Sequence, residues 1–140
     1  MACQSILPLD PTFEIFSNIL TPCENFHRRC LFKFSPDGKV LMTLGKAGVP
    51  GDGPDTFNQP DDVAIAPNGD IFVSDGHTPM MGNARVVKFS KDGKFIMQFG
   101  KHGSGPGEFE VPHALAFDSR GRLFVGDRAN NRVQIFAPAP

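Results

Sequence analysis

"QPDDVAIAPNGDIFVSDG" (residues 59–76) and "VPHALAFDSRGRLFVGDR" (residues 111–128) are two copies of one pattern. Each opens near a proline, runs through alternating apolar residues, breaks at a glycine turn and returns as a second apolar run ending in aspartate. Sliding the chain by 52 residues superposes Phe57, Pro60, Gly69, Phe72, Val73 and Asp75 on Phe109, Pro112, Gly121, Phe124, Val125 and Asp127. A second pair, "LFKFSPDGKVLMTLG" (31–45) and "VVKFSKDGKFIMQFG" (86–100), superposes at an offset of 55. Short runs rich in Val, Ile and Phe, joined by Gly, Asn, Asp and Ser, read as strands in antiparallel hairpins. Four such strands, A to D, make a meander, and repetition at about 40–50 residues is the mark of a propeller blade.

The first copy supplies strands C and D (31–44), the second all four (62–99) and the third A, B and C (113–136). The sequence therefore predicts an all-β fold, a partial β-propeller of about two and a quarter four-stranded blades. Its segments are a non-repeat N-terminal extension (1–30), a partial blade (31–56), a full blade (57–108) and an incomplete blade (109–140). Within the extension, "LDPTFEIFSNIL" is suited to opening a short helix, with Asp10 as N-cap and Pro11 at the first helical position. Propellers close with about four to eight blades, so this chain reads as a fragment, a truncated product or one subunit of a shared ring. Its open sheet edges predict self-association.

Fourteen Lys and Arg balance fifteen Asp and Glu, for a net charge of -1. That leaves no basic stripe for a phosphate backbone, which argues against nucleic acid as a partner. No apolar run of about 18 residues is present to span a membrane. "MACQSILPLDPTF" lacks the basic start and apolar stretch of a secretory signal. A genuine start thus predicts a cytoplasmic product, and a displaced one leaves the compartment open. All fourteen aromatic residues are Phe, so chemistry that needs a phenol must use another group. Cys23, His27 and Cys30 match no strong zinc spacing, and with Cys3 the cysteines are read as thiols.

In a meander the A–B and C–D turns lie at one end, and the B–C loops and D-to-A connections at the other. The length differences all fall on the second end. "DGHTPMMGNAR" is five residues longer than "DRANNR", and "GKAGVPGDGPDTFNQP" exceeds "GKHGSGPGEFEVP" by three. Variable loops on a rigid scaffold are where binding concentrates. His77, Arg85, His102, His113, Arg128 and Arg132 map there. Asp61 holds the place of His113 in the preceding copy, so the scaffold requires the proline and the strand but not the histidine. Arg128 likewise replaces Gly76. Arg85 and Arg132 are equivalent and read as structural, Asp75 and Asp127 as braces of the B–C loop, and Asp61, Asp62 and Asp70 as turn residues. "GSGPGE" lacks the lysine and helix of a phosphate loop.

Residues 31–136 resemble NHL repeats, and more narrowly the propeller of peptidyl-α-hydroxyglycine α-amidating lyases. The resemblance implies a six-bladed ring that cleaves a peptidyl-α-hydroxyglycine to a peptide amide and glyoxylate. It also implies a zinc held by three histidines, with a tyrosine and arginines nearby. His113 in "VPHALAF" matches one zinc histidine, and Arg128 in "DRANNR" matches a catalytic arginine. His77 in "SDGH" stands where the family has tyrosine, as a replacement base or a further ligand. The other two histidines belong to blades absent from this chain, so the fragment is expected to be inactive alone. The implied partner is a peptide substrate; a non-catalytic NHL module would instead bind a protein.

Overall fold

The computed structural model describes residues 15–17 and 29–138. Among these, ten strands form three antiparallel sheets. The first contains β1 (Ile15–Ser17), β2 (Cys30–Phe34) and β3 (Val40–Gly45). The second is a four-stranded meander of β4 (Pro60–Ile65), β5 (Ile71–Asp75), β6 (Arg85–Phe89) and β7 (Phe95–Phe99). The third contains β8 (Pro112–Phe117), β9 (Leu123–Asp127) and β10 (Arg132–Phe136), with one 3-10 turn at Arg128–Asn130 between the last two. The all-β partial propeller is thus the observed architecture.

The part of the N-terminal extension that is described differs from the helical expectation. Ile15–Ser17 is extended and pairs antiparallel with β2, Ile15 opposite Phe34 and Ser17 opposite Phe32. An open edge of β2 offers backbone donors and acceptors that a local helix cannot satisfy, and three paired residues suffice to use them. The first sheet gains a strand beyond C and D. Asp10 and Pro11 lie outside the described residues.

The two central strands of the middle sheet, β5 and β6, are buried on both faces, which is why they read as continuous apolar runs. Ile71, Val73, Val87 and Phe89 pack toward the first sheet with Leu31, Leu44 and Phe57. Phe72 and Val86 point the other way, into a layer with Phe109, Leu115, Leu123 and Val125. Period-two alternation thus sends successive residues into two different interfaces. At the end of strand D, Gly45 and Gly100 adopt φ of 86° and 99°. A Cβ on Gly100 would sit 2.6 Å from Phe109 Cδ2, and one on Gly45 would sit 2.7 Å from Phe57 Cδ2. The glycines therefore admit the fully buried Phe57 and Phe109, which open the next blade.

Both inner strands begin with an irregularity. In β4 the pairing shifts between Pro60 and Val63, and in β8 between Pro112 and Ala114. Such bulges re-aim a side chain out of the regular alternation. Asp61 and His113 sit in them.

Candidate functional site

Two buried aspartates anchor the loop end of the blades. Asp75 Oδ1 accepts the N–H groups of Asn58 (3.0 Å) and Gln59 (2.7 Å), and Asp127 Oδ1 accepts those of Glu110 (3.0 Å) and Val111 (3.0 Å). Their backbone partners therefore lie on the D-to-A connection rather than the B–C loop. The B–C loop is held through side chains: Asn83 donates to Asp75 Oδ2 and Asn130 to Asp127 Oδ2, each at 2.7 Å. Arg85 adds Nε to Asp75 Oδ2 at 3.0 Å and Nη2 to Thr56 O at 2.7 Å. Arg132 adds Nε to Asp127 Oδ2 at 3.3 Å and Nη2 to Glu108 O at 2.7 Å. The equivalent arginines are structural, as the repeat implies, and neither is available to a ligand.

The chemistry-bearing side chains meet above these anchors. The His77 and His113 rings, from neighbouring blades, are 5.3 Å apart between centroids and inclined by 39°. Asp61 lies beneath both. Its Oδ1 is 3.0 Å from His77 Nδ1, a hydrogen bond, and its Oδ2 is 3.4 Å from His113 Nε2. That second approach lies within ion-pair range but lacks hydrogen-bond alignment, and Oδ2 is buried with no hydrogen-bond partner among the described residues. The Asp61 side chain is 15% exposed, against 50% for His77 and 39% for His113. One ligand atom from each of the three residues lies within 4.8 Å of the others. A carboxylate inside and two imidazoles opening outward are ligand types that could hold a cation or pass a proton.

The loop carrying His77 is pinned at its base. Gly76 N–H donates to Gln59 O at 2.9 Å, and Thr78 N–H and Oγ1 both donate to Gln59 Oε1, at 2.8 and 2.6 Å. Arg128 begins the 3-10 turn, and its backbone N–H donates to Val111 O at 2.9 Å. It stands at the same sheet end as His113, because Pro112 pairs with Asp127. Its exposed side chain makes no hydrogen bond or ion pair among the described residues. His102 does not join the cluster: its Nε2 is 2.9 Å from Gly82 O and its Nδ1 3.7 Å from Glu110, so it props the longer loop.

Of the three aspartates read as turn residues, Asp70 closes the Ala66–Asp70 turn as expected, while Asp61 and Asp62 lie in β4 and have other partners. Asp61 joins the histidines, Asp62 Oδ2 accepts the Leu115 N–H from the adjacent blade at 2.7 Å, and Asp70 pairs with Lys88 at 2.9 Å. The signal for Asp61 was its equivalence to His113. That equivalence alone did not separate Asp61 from an ordinary strand-entry turn residue.

Repeated blades with the same Asp–Asn–Arg anchor define a partial β-propeller, and residues 109–136 match the NHL repeat. Over 114 residues the chain is 45% identical to the peptidyl-glycine alpha-amidating monooxygenase of Mus musculus, covering 76% of this chain and 11% of that protein. It is 40% identical over 102 residues to a probable peptidyl-alpha-hydroxyglycine alpha-amidating lyase of Caenorhabditis elegans, covering 71% of this chain and 28% of that protein. It is also 36% identical over 106 residues to NHL repeat-containing protein 3 of Homo sapiens, covering 74% of this chain and 30% of that protein. The chain thus spans less than a third of each of these relatives, and its NHL region is similar to amidating-lyase sequences.

Proposed function

We propose that this chain is the part of a lyase-type NHL propeller that carries one edge of the active site, acting on a peptidyl-α-hydroxyglycine. The supporting observation is the meeting of His77 and His113 from neighbouring blades, with centroids 5.3 Å apart, at the sheet end where Arg128 also stands. The zinc expected from the lyase resemblance fits these residues: His113 turns a ring nitrogen toward a buried carboxylate oxygen that has no hydrogen bond among the described residues. His113 would hold it. When bound, zinc supplies a Lewis acid that polarises the substrate.

The chain's own residues account for the proton and the charge. With the Nδ1 proton of His77 donated to Asp61 Oδ1, the neutral ring presents an unprotonated Nε2. Nε2 takes the proton of the substrate hydroxyl as the C–O bond becomes a carbonyl and the C–N bond breaks. The same proton passes to the leaving amide nitrogen, giving a peptide amide and glyoxylate. Arg128, without a side-chain hydrogen bond or ion pair among the described residues, is suited to grip the substrate carboxylate.

A non-catalytic protein-binding module is the second reading, favoured by the absence of any tyrosine. Glyoxylate release from an α-hydroxyglycine peptide separates the two. With excess zinc the 140-residue chain should release none, and the chain joined to the missing blades of a lyase should release it. In that chimera Arg128→Ala and His77→Gln should each lower kcat/KM by about a hundredfold or more. Loss of neither would leave the binding module.

A further inference from the structure

The geometry points to Asp61 as a bridge between a divalent metal and the histidine base, a role that rests on the reading just given. Its two carboxylate oxygens have different surroundings. Oδ1 is a satisfied acceptor, at 3.0 Å from His77 Nδ1. Oδ2 is buried, has no hydrogen bond among the described residues, and lies 3.4 Å from His113 Nε2. A buried carboxylate oxygen left without a donor is costly, and a cation relieves that cost better than water.

The 3.4 Å separation is also what two ligands on one ion require. Zinc bonds to imidazole nitrogen and carboxylate oxygen at about 2.0–2.1 Å, which sets tetrahedral ligands about 3.3 Å apart. Oδ2 and His113 Nε2 therefore serve as neighbouring ligands without moving. The Oδ1 hydrogen bond keeps His77 out of the metal shell and leaves its Nε2 free for the proton. The position is suited to this because the bulge after Pro60 turns Asp61 toward the next blade. A metal held here ties β4 to β8, so binding should also stabilise the packing of the second and third sheets.

Zinc titration of the 140-residue chain, read by NMR of the imidazole nitrogens and of the Asp61 carboxyl carbon, tests this without turnover. Zinc should shift His113 Nε2 and the Asp61 carboxyl carbon and leave the His77 Nδ1–H resonance in place. Asp61→Asn should weaken zinc binding at least about tenfold, and His113→Ala should do the same. His77→Gln should change it by less than about threefold, since no ligand is lost. An undisturbed wild-type spectrum, or normal affinity in Asp61→Asn, would overturn the assignment. Equal loss in His77→Gln and His113→Ala would make His77 a ligand and also overturn it. If Asp61→Asn does not fold, the wild-type carboxyl shift decides alone. A chain that binds zinc as described but yields no glyoxylate once its ring is completed would sink the lyase reading and leave this one standing.

Discussion

At the scale of single residues, the anchors and the reactive cluster make different demands. Asp75 is fully buried and Arg85 is 3% exposed, so each neutralises a charge that water cannot reach. Arg85→Met should destabilise by about 3–5 kcal/mol, because it leaves the buried Asp75 carboxylate with Asn83 and two backbone donors but no countercharge. Asp127 keeps the equivalent donors, but Arg132 is 28% exposed, so water can take over part of its role, and Arg132→Met should cost only about 1–2 kcal/mol. Urea denaturation of the two variants checks the ordering. Asp70 gives a pH signature: its hydrogen bond with the Lys88 ammonium, and a lesser one from Asn68, hold its carboxyl below the ordinary aspartate value, against the opposing effect of burial. A depressed folded value means a contribution present above the unfolded value and lost as pH falls through the folded one. Asp70→Asn should therefore make the acid limb of a stability–pH curve shallower, with little change in its alkaline limb. His113 and Arg128 stood out in the sequence because they depart from a repeat, and His77 because it lies in the longer B–C loop where the lyases this chain resembles carry tyrosine. Asp61 was not singled out because aspartate is also the ordinary residue of a strand-entry turn, and only the approach of a second blade shows that its carboxylate lies beneath two imidazoles.

At the scale of elements, the strands follow from alternation and the turns from glycine, both of which a repeat makes visible twice. The two bulges were not visible, since one extra residue in a strand leaves the apolar pattern on either side intact. Nor was β1, whose three residues owe their conformation to an edge supplied from more than ten residues away. The strand-end glycines allow a direct comparison. Gly100→Ala would place a methyl 2.6 Å from the Phe109 ring at φ 99°, whereas a methyl on Gly107, at φ 74°, would meet nothing within 4 Å. Gly107→Ala should cost about 1 kcal/mol, from backbone conformation alone. Gly100→Ala should cost about 3 kcal/mol or more, because Phe109 cannot yield without opening the layer between blades. Thermal unfolding of the pair measures the difference, and similar values would mean that Phe109 repacks freely.

Across the whole molecule, the sheets are stacked but the stack has ends. Among the described residues no strand pairs with the outer edge of β10, where Val133 and Ile135 are exposed. A groove of about 620 Å³ beside it is lined by Phe72, Met97, Phe99, Phe117, Leu123 and Phe136. Paired apolar surface and open backbone favour contact between copies of the chain. Sedimentation should give a concentration-dependent mass above 15.2 kDa, and replacing Val133 and Ile135 with lysine should lower it. A monomer at all concentrations would show that the edge is protected. The Asp–Asn pairs carry a different consequence. Asp75 and Asn83 are 8 residues apart and Asp127 and Asn130 only 3, yet both pairs close at 2.7 Å. The clasp ignores the length of what it encloses. The segment holding His77 is thus an exchangeable cassette: a blade can gain or lose reactive groups there while its foundation stays unchanged, and chemistry can vary from blade to blade at almost no cost to folding.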